Sequence, residues 1–352
     1  MRQKRLCRFG TLIFSLLVII VITACTAAPI SPPRMSSTLN PQGPGAARLA
    51  ELWWVMLVAG TIPYLIVLGL LFAALLRRRR ASSDTAPEEP HGGDTGRSWI
   101  IWGGIVLPII VIGIAFAYSI YTQAAIDNQP EERAFKIEIF GRRWWWEVRY
   151  RDHGFSTANE IHIPVGVPVE IWLQSADVIH SFWIPELHGK LDLVPTRINK
   201  ITIQADQPGV YRGECAEFCG LQHAHMGFMV VAESEADFNN WVSAQKQPAP
   251  EPTDDAAVAG QQVFFSAGCV YCHQVQGLND KNVDRSAVDL GPDLTHVSSR
   301  LTIAAGSLTQ SRGNLAGWIS DSQHIKPGNQ MPNIYLNSDD LQNLLAYLET
   351  LR

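Results

Sequence analysis

Charge is scarce in this chain. Only 17% of its 352 residues are Asp, Glu, Lys or Arg, against 47% hydrophobic, the balance of a mixed membrane protein. The shortage is uneven, because the apolar residues gather in three blocks before residue 122. Residues 52–76 and 98–121 hold no charge at all, and each run is long enough to cross a bilayer as a helix. Pro63 and Pro108 fall inside them, which membrane helices tolerate when neighbours satisfy the freed backbone groups. Basic residues are in deficit beyond residue 121, with 17 Lys+Arg against 28 Asp+Glu, a balance of −11 that argues against a nucleic-acid partner. Internal repeats are missing too. At this length the chain has room for two or three domains.

The first apolar block reads as an export signal, residues 1–24. Arg2, Lys4, Arg5 and Arg8 precede an uncharged apolar run over 11–24, too short to span well. It ends in "ITAC", which resembles the bacterial lipoprotein cleavage box; the resemblance implies a lipid on Cys25, which becomes the mature N-terminus. A short membrane anchor is the alternative. The other two blocks form a hairpin over 49–122, and the loop between them opens with Arg77, Arg78, Arg79 and Arg80. Four arginines in a short loop put it on the cytoplasmic side, so everything from Thr122 onward is expected outside the cell membrane.

From Phe135 the pattern turns to period two. "FKIEIF", an alternation from Ile161 to Leu173, "KITIQA" and "GFMVVA" predict short strands between Pro/Gly turns, hence a β-sandwich or Greek-key domain over 133–242. "SAQKQPAPEPTDDAA", 243–257, has no period and reads as a flexible linker. The remaining 258–352 is predicted all-α: Leu341, Leu344, Leu345 and Leu348 share one helix face, with Ser338 as its N-cap.

Cysteine is also rare, six in all, and four of the six form two close pairs. Cys269-Val-Tyr-Cys272-His273 is the C-x-x-C-H pattern of covalent haem attachment, with His273 as an axial iron ligand. A thioredoxin-like pair expects a βαβ setting, and structural zinc expects further close Cys or His. For the sixth iron position the region after the linker offers one methionine, Met331, besides His296 and His324. A thioether opposite histidine raises the potential and leaves no open site, which suits electron transfer, and Met331 is taken over His324. In "GECAEFCGLQHAHMGF", Cys215, Cys219, His223 and Met226 put thiolate, imidazole and thioether in one loop, the set that selects copper. Two cysteines supply a bridging thiolate beyond what one copper uses, enough for two ions, and His180 is the best-placed second histidine ahead of His162, His188 and His225. A disulfide between Cys215 and Cys219 is the alternative.

With "VIHSFWIP", "CAEFCGLQHAHM", "GRRWWWEVRY", the preceding helical hairpin and "CVYCH…MP", the chain resembles subunit II of a haem–copper cytochrome c oxidase fused to a C-terminal cytochrome c. "GPDLTHVSSR" extends the likeness to class I cytochromes c, which also implies Met331 as ligand. The resemblance implies a multidomain membrane protein: a two-helix hairpin, a cupredoxin-like domain and a class I cytochrome c domain. It implies a dinuclear copper A centre on His180, Cys215, Cys219, His223 and Met226, with the Glu217 backbone carbonyl as a further ligand. The Glu217 carboxylate is implied in a magnesium site shared with subunit I, and Trp144 as the point where electrons arrive from soluble cytochrome c. The usual "GHQWYW" reads "GRRWWW" here, which adds positive charge. Relatives often carry a glutamate for proton uptake at the start of the second helix; Arg97 and Ser98 stand there, and Asp94 is the closest acid.

The function expected is therefore an electron-transfer subunit of a respiratory, proton-pumping oxidase in the bacterial cell membrane. It is expected to pass electrons from a cytochrome c or a quinol-oxidising complex through haem c and copper A to subunit I, where oxygen is reduced. A copper A subunit of a nitric oxide reductase is the alternative within the class. A membrane-anchored copper-delivery protein leaves the haem motif unexplained, and nitrous oxide reductase needs a catalytic domain for which no chain remains.

Overall fold

The computed structural model describes residues 36–80, 94–127, 135–278 and 291–352. The expected signal segment, and Cys25 with it, lies outside them.

Helix α1, Pro44–Arg80, has 37 residues, so it is about 55 Å long, well beyond the roughly 30 Å of a hydrocarbon core. It starts at Pro44 rather than near 52 because its first turns are occupied by the β-domain: Ala46 and Ala50 are buried. The arm ahead of it is stitched to the same domain. The Gln42 amide donates to Glu186 O (2.7 Å), the Asp206 amide to Gln42 O (2.8 Å), and the Ala46 amide to Leu187 O (3.0 Å). Gly43 permits this, since a Cβ there would stand 2.2 Å from Gln204 O. The second apolar stretch forms α2, Asp94–Ile101, a π-helical turn, Trp102–Val106, and α3, Leu107–Asp127, which packs on α1. Pro108 follows the π turn, where the ladder has already shifted to admit a residue without an N–H. Among the described residues two helices are long and apolar enough to cross a membrane, and their apolar side chains face outward.

The β-domain is a sandwich of two five-stranded sheets. One runs β3-β2-β1-β5-β8: β1 Phe135–Arg142, β2 Trp145–Tyr150, β3 Phe155–Ala158, β5 Val169–Ser175, β8 Asn199–Ile203. The other runs β4-β10-β9-β6-β7: β4 Glu160–Pro164, β6 His180–Trp183, β7 Leu191–Leu193, β9 Gly209–Cys215, β10 Gly227–Glu233. The alternation read from Ile161 to Leu173 is two strands, β4 and β5, placed in different sheets by a turn at Gly166 (φ 75°). Ile137, Ile139, Trp146, Ile161, Ile171 and Phe228 fill the core between the sheets, all fully buried. Helix α4, Glu235–Gln245, capped by Ser234, lays Phe238 and Val242 over its end.

The C-terminal part packs α5, Asp255–Ser266, across α8, Ser338–Thr350. They approach so closely at Gly260 that a Cβ would stand 1.9 Å from Asn343 O. Leu344, Leu345 and Leu348 are buried as their spacing predicts, but the N-cap is Asn337, not Ser338: its Oδ1 accepts from the Asp340 amide at 2.8 Å. Between them lie the hairpin β11 Thr302–Ile303 and β12 Leu308–Thr309, then α6 Arg312–Ser320 and α7 Ser322–Ile325.

The segment read as a flexible linker, 243–257, is not free. It begins inside α4 and ends inside α5. Between them His296 Nε2 donates to Gln247 O (3.1 Å), and the Ala249 amide donates to Gln276 O (2.8 Å). Backbone groups, which composition does not reveal, hold it down.

Candidate metal centre

Sheet pairing brings the ligand loop and His180 together. β6 pairs antiparallel with β9 with Phe182 opposite Cys215, so His180, two residues back on the same face of β6, is brought within reach of the Cys215 sulfur at the end of β9. The chain then loops through Cys219 and a 3-10 turn, His223–His225, before β10 takes up the pairing again after Met226.

Cys215 Sγ lies 3.7 Å from Cys219 Sγ, 3.9 Å from His180 Nδ1 and 3.3 Å from Glu217 O. Cys219 Sγ lies 3.8 Å from His223 Nδ1 and 3.8 Å from Met226 Sδ. Both cysteines are free thiols, so the disulfide alternative does not hold. His180, Cys215, Cys219 and Met226 are buried. Six donors facing one another at these separations leave room for metal bonds of about 2.0–2.3 Å. Soft sulfur with imidazole favours copper.

The surroundings set the ligands in their binding forms. His180 Nε2 donates to Asp177 Oδ1 at 2.8 Å, which leaves the lone pair on Nδ1, toward Cys215. The other Asp177 oxygen accepts from the Arg143 amide at 2.7 Å, and the Arg143 guanidinium lies 3.7 Å away. Burial opposes ionisation of Asp177, but these bonds outweigh it and hold its pKa below the ordinary value. The added arginines of "GRRWWW" thus have partners: Arg142 pairs with Glu147 at 2.8 Å, and Arg143 with Asp177. The contact with Cys219 draws the Cys215 pKa down. Gly141 makes room for His180, whose ring would lie 2.7 Å from a Cβ there.

The other histidines of this domain are otherwise engaged. His162 donates from Nδ1 to Glu233 (2.8 Å) and from Nε2 to Glu160 (3.1 Å), and stacks on Trp241 at 4.0 Å. His188 packs against Gly45, and His225 Nδ1 bonds Gln222 Oε1 at 2.8 Å.

Trp144 sits in the turn between β1 and β2 with its indole Nε1 donating to Cys219 O at 3.0 Å. Only 9% of it is exposed. Glu217 turns its carbonyl to Cys215 and its side chain to solvent. A cavity of about 710 Å³ is lined by Cys215 and His223 together with Ala46 and Leu49 of α1.

In the C-terminal part, Cys269 opens a 3-10 turn after Gly268 (φ 80°), and burial pushes its thiol up to about 11. His273 Nδ1 donates to Pro292 O at 2.8 Å, leaving Nε2 as the free ligating atom. Burial pushes its pKa down, which keeps the ring neutral. Gly291 allows the close approach, since a Cβ there would lie 2.8 Å from His273 Cε1. Met331 packs against the same core as Cys269. His324 is exposed, and His296 uses both ring nitrogens, on Arg352 O (2.6 Å) and Gln247 O.

The two halves meet at this face. Lys326 Nζ donates to Trp144 O (3.0 Å) and Ala304 O (3.2 Å), and the Gly227 amide, next to Met226, donates to Ala305 O (2.9 Å). Of these residues the sequence had singled out Trp144 but not Lys326, since a lysine in a Pro/Gly loop carries no signal.

Residues 153–233 match the family described as cytochrome c oxidase subunit II, periplasmic domain, and residues 257–352 match cytochrome c. Cytochrome c oxidase subunit 2 of Alkalihalophilus pseudofirmus is 32% identical over 90% of this chain and 91% of its own. That of Bacillus subtilis is 29% identical over 90% of this chain and 92% of its own. The crystal structure of the periplasmic domain of subunit II of cytochrome oxidase of Bradyrhizobium japonicum aligns at TM-score 0.33 and 28% identity, covering 34% of this chain and 97% of that one.

Proposed function

Since this chain belongs to the cytochrome c oxidase subunit 2 family, we propose that it is the relay through which that enzyme takes electrons from haem c to copper A and on to subunit I. It is a membrane-anchored oxidase subunit with an extracytoplasmic domain, associated with the other subunits of the complex. The finer reading rests above all on one observation: both sulfurs, both imidazoles and the thioether converge within 3.9 Å of a neighbour, in a chain whose C-X-X-C-H half packs on the same face.

His180, Cys215, Cys219, His223, Met226 and the Glu217 carbonyl would hold the copper pair; Cys269 and Cys272 would hold the haem, and His273 and Met331 would ligate its iron. The chemistry these groups supply when bound is one-electron exchange with little rearrangement. The chain's part is to fix and shield. Asp177 orients His180, Pro292 orients His273, and the sandwich keeps water from the sulfurs. The outward Glu217 carboxylate suits a magnesium ion at the subunit I boundary. Trp144, bonded to Cys219 O, suits the step between the centres. The signal 1–24, a lipid on Cys25, the two-span hairpin, a bacterial cell membrane and a cytochrome c or quinol-oxidising donor complete the reading.

The test is rapid reduction of haem c in the purified complex while the copper absorbance is followed. Copper should be reduced at a rate independent of protein concentration. Copper that bleaches only in proportion to an added donor overturns the relay. Mass spectrometry of the mature chain should find a lipidated Cys25 as first residue; an intact Met1 overturns that part.

A further inference from the structure

Among the described residues, Lys326 is an unexpected one to find buried. Only 3% of it is exposed, and it is a long amine in a loop, where lysine ordinarily extends into solvent. Its Nζ reaches across the two halves, to the carbonyl of Trp144 in the copper domain and to that of Ala304 in the haem domain. Its own loop is held from the copper side, where Gln222 Nε2 donates to Pro327 O at 2.7 Å.

The hairpin tip beside it is built for the same contact. Ala304, Ala305 and Gly306 take left-handed conformations in succession (φ 53°, 56° and 72°), which costs two alanines something that only glycine avoids. Each of their carbonyls is then used: Lys326 Nζ on Ala304, the Gly227 amide on Ala305, and Arg212 Nη1 on Gly306 at 3.2 Å. At the far end of the seam the Leu301 amide donates to Glu160 Oε2 at 2.8 Å. A strained tip whose Ala305 and Gly306 carbonyls are both taken by the copper domain belongs to a docked state.

We propose that the haem domain is a permanently seated donor, with Lys326 as the residue that positions it over Trp144. Trp144 is thereby covered, so a soluble donor meets the haem domain and not the copper face. The seat stands on its own; its consequence for electron delivery rests on the relay proposed above.

Two measurements on the full-length chain test the seat without reference to turnover. In the wild type, Lys326 should resist acylation while exposed Lys246 reacts freely. Lys326→Met should speed hydrogen exchange at the Gly227 and Leu301 amides by about tenfold, the shift produced by losing about one buried hydrogen bond. In the loaded complex the same variant should slow haem-to-copper transfer by about as much, with both potentials and spectra unchanged. The slowed step should become viscosity-dependent. Equal acylation of Lys326 and Lys246, or unchanged exchange at both amides in Lys326→Met, overturns the proposal. If exchange responds as stated but copper is never reduced by haem, the relay fails and the seat stands.

Discussion

Asp177 accepts from His180 with one oxygen and from the Arg143 amide with the other, so a single carboxylate ties a ligand to the turn that carries Trp144. Asp177→Ala should lower copper affinity about 10–100-fold, read by chelator competition, with haem content unchanged. His162 faces two carboxylates that only accept, so both its nitrogens carry protons. Burial opposes this, but Glu160 and Glu233 outweigh it and raise its pKa above 6.5. The stabilisation is therefore complete below the ordinary histidine value and is lost as pH rises through the folded one. The melting-temperature gap between wild type and His162→Gln should shrink over that rise; a pH-independent gap refutes the charged cluster. The candidate ligands stood out at this scale because four of them fall within one loop and, in the other motif, a histidine directly follows the second of two close cysteines. Asp177 and Lys326 did not, because an aspartate and a lysine are ordinary in loops until their partners are known.

Helices α5 and α8 touch through a glycine. Gly260→Ala must force them apart or bend one, since its Cβ would overlap the Asn343 carbonyl. Overpacking of this kind costs about 1–3 kcal/mol, seen as a lower melting temperature for the haem domain with copper binding untouched. The periodicity of α8 was plain in its leucines, while its cap was misplaced by one residue. Asn337 and Ser338 are both good cap residues, and only the bond to the Asp340 amide decides between them. Strands as short as β7 and β6, three and four residues, carry too little alternation to be read. They are defined by their partners in the sheet, and β6 is the one that delivers His180.

Over the whole molecule, two domains and a hairpin followed from composition, but their mutual placement did not. A Pro/Ala/acidic stretch reads as a tether, yet the contacts that pin it are main-chain groups, and every residue carries those. A proteolytic nick within 246–254 should therefore leave the two halves eluting together on size exclusion at moderate salt. Their separation would show that the chain connection alone holds them.

The arm before α1 carries a mechanical consequence. Gln42 is bonded on both its amide and its carbonyl, and two residues later the helix begins, so the joint between rod and sandwich has no slack. A spanning helix tilts to match the thickness of its bilayer. With a stiff joint that tilt is not absorbed, and the sandwich leans with the rod as a lamp leans with its mast. Lipid thickness thereby becomes a setting on the angle at which the sandwich, with the cavity walled by Ala46 and Leu49 of the same helix, stands to the membrane. In bilayers of shorter and longer acyl chains, oxygen turnover should vary while haem-to-copper exchange stays constant, because only the first of these crosses the leaning boundary.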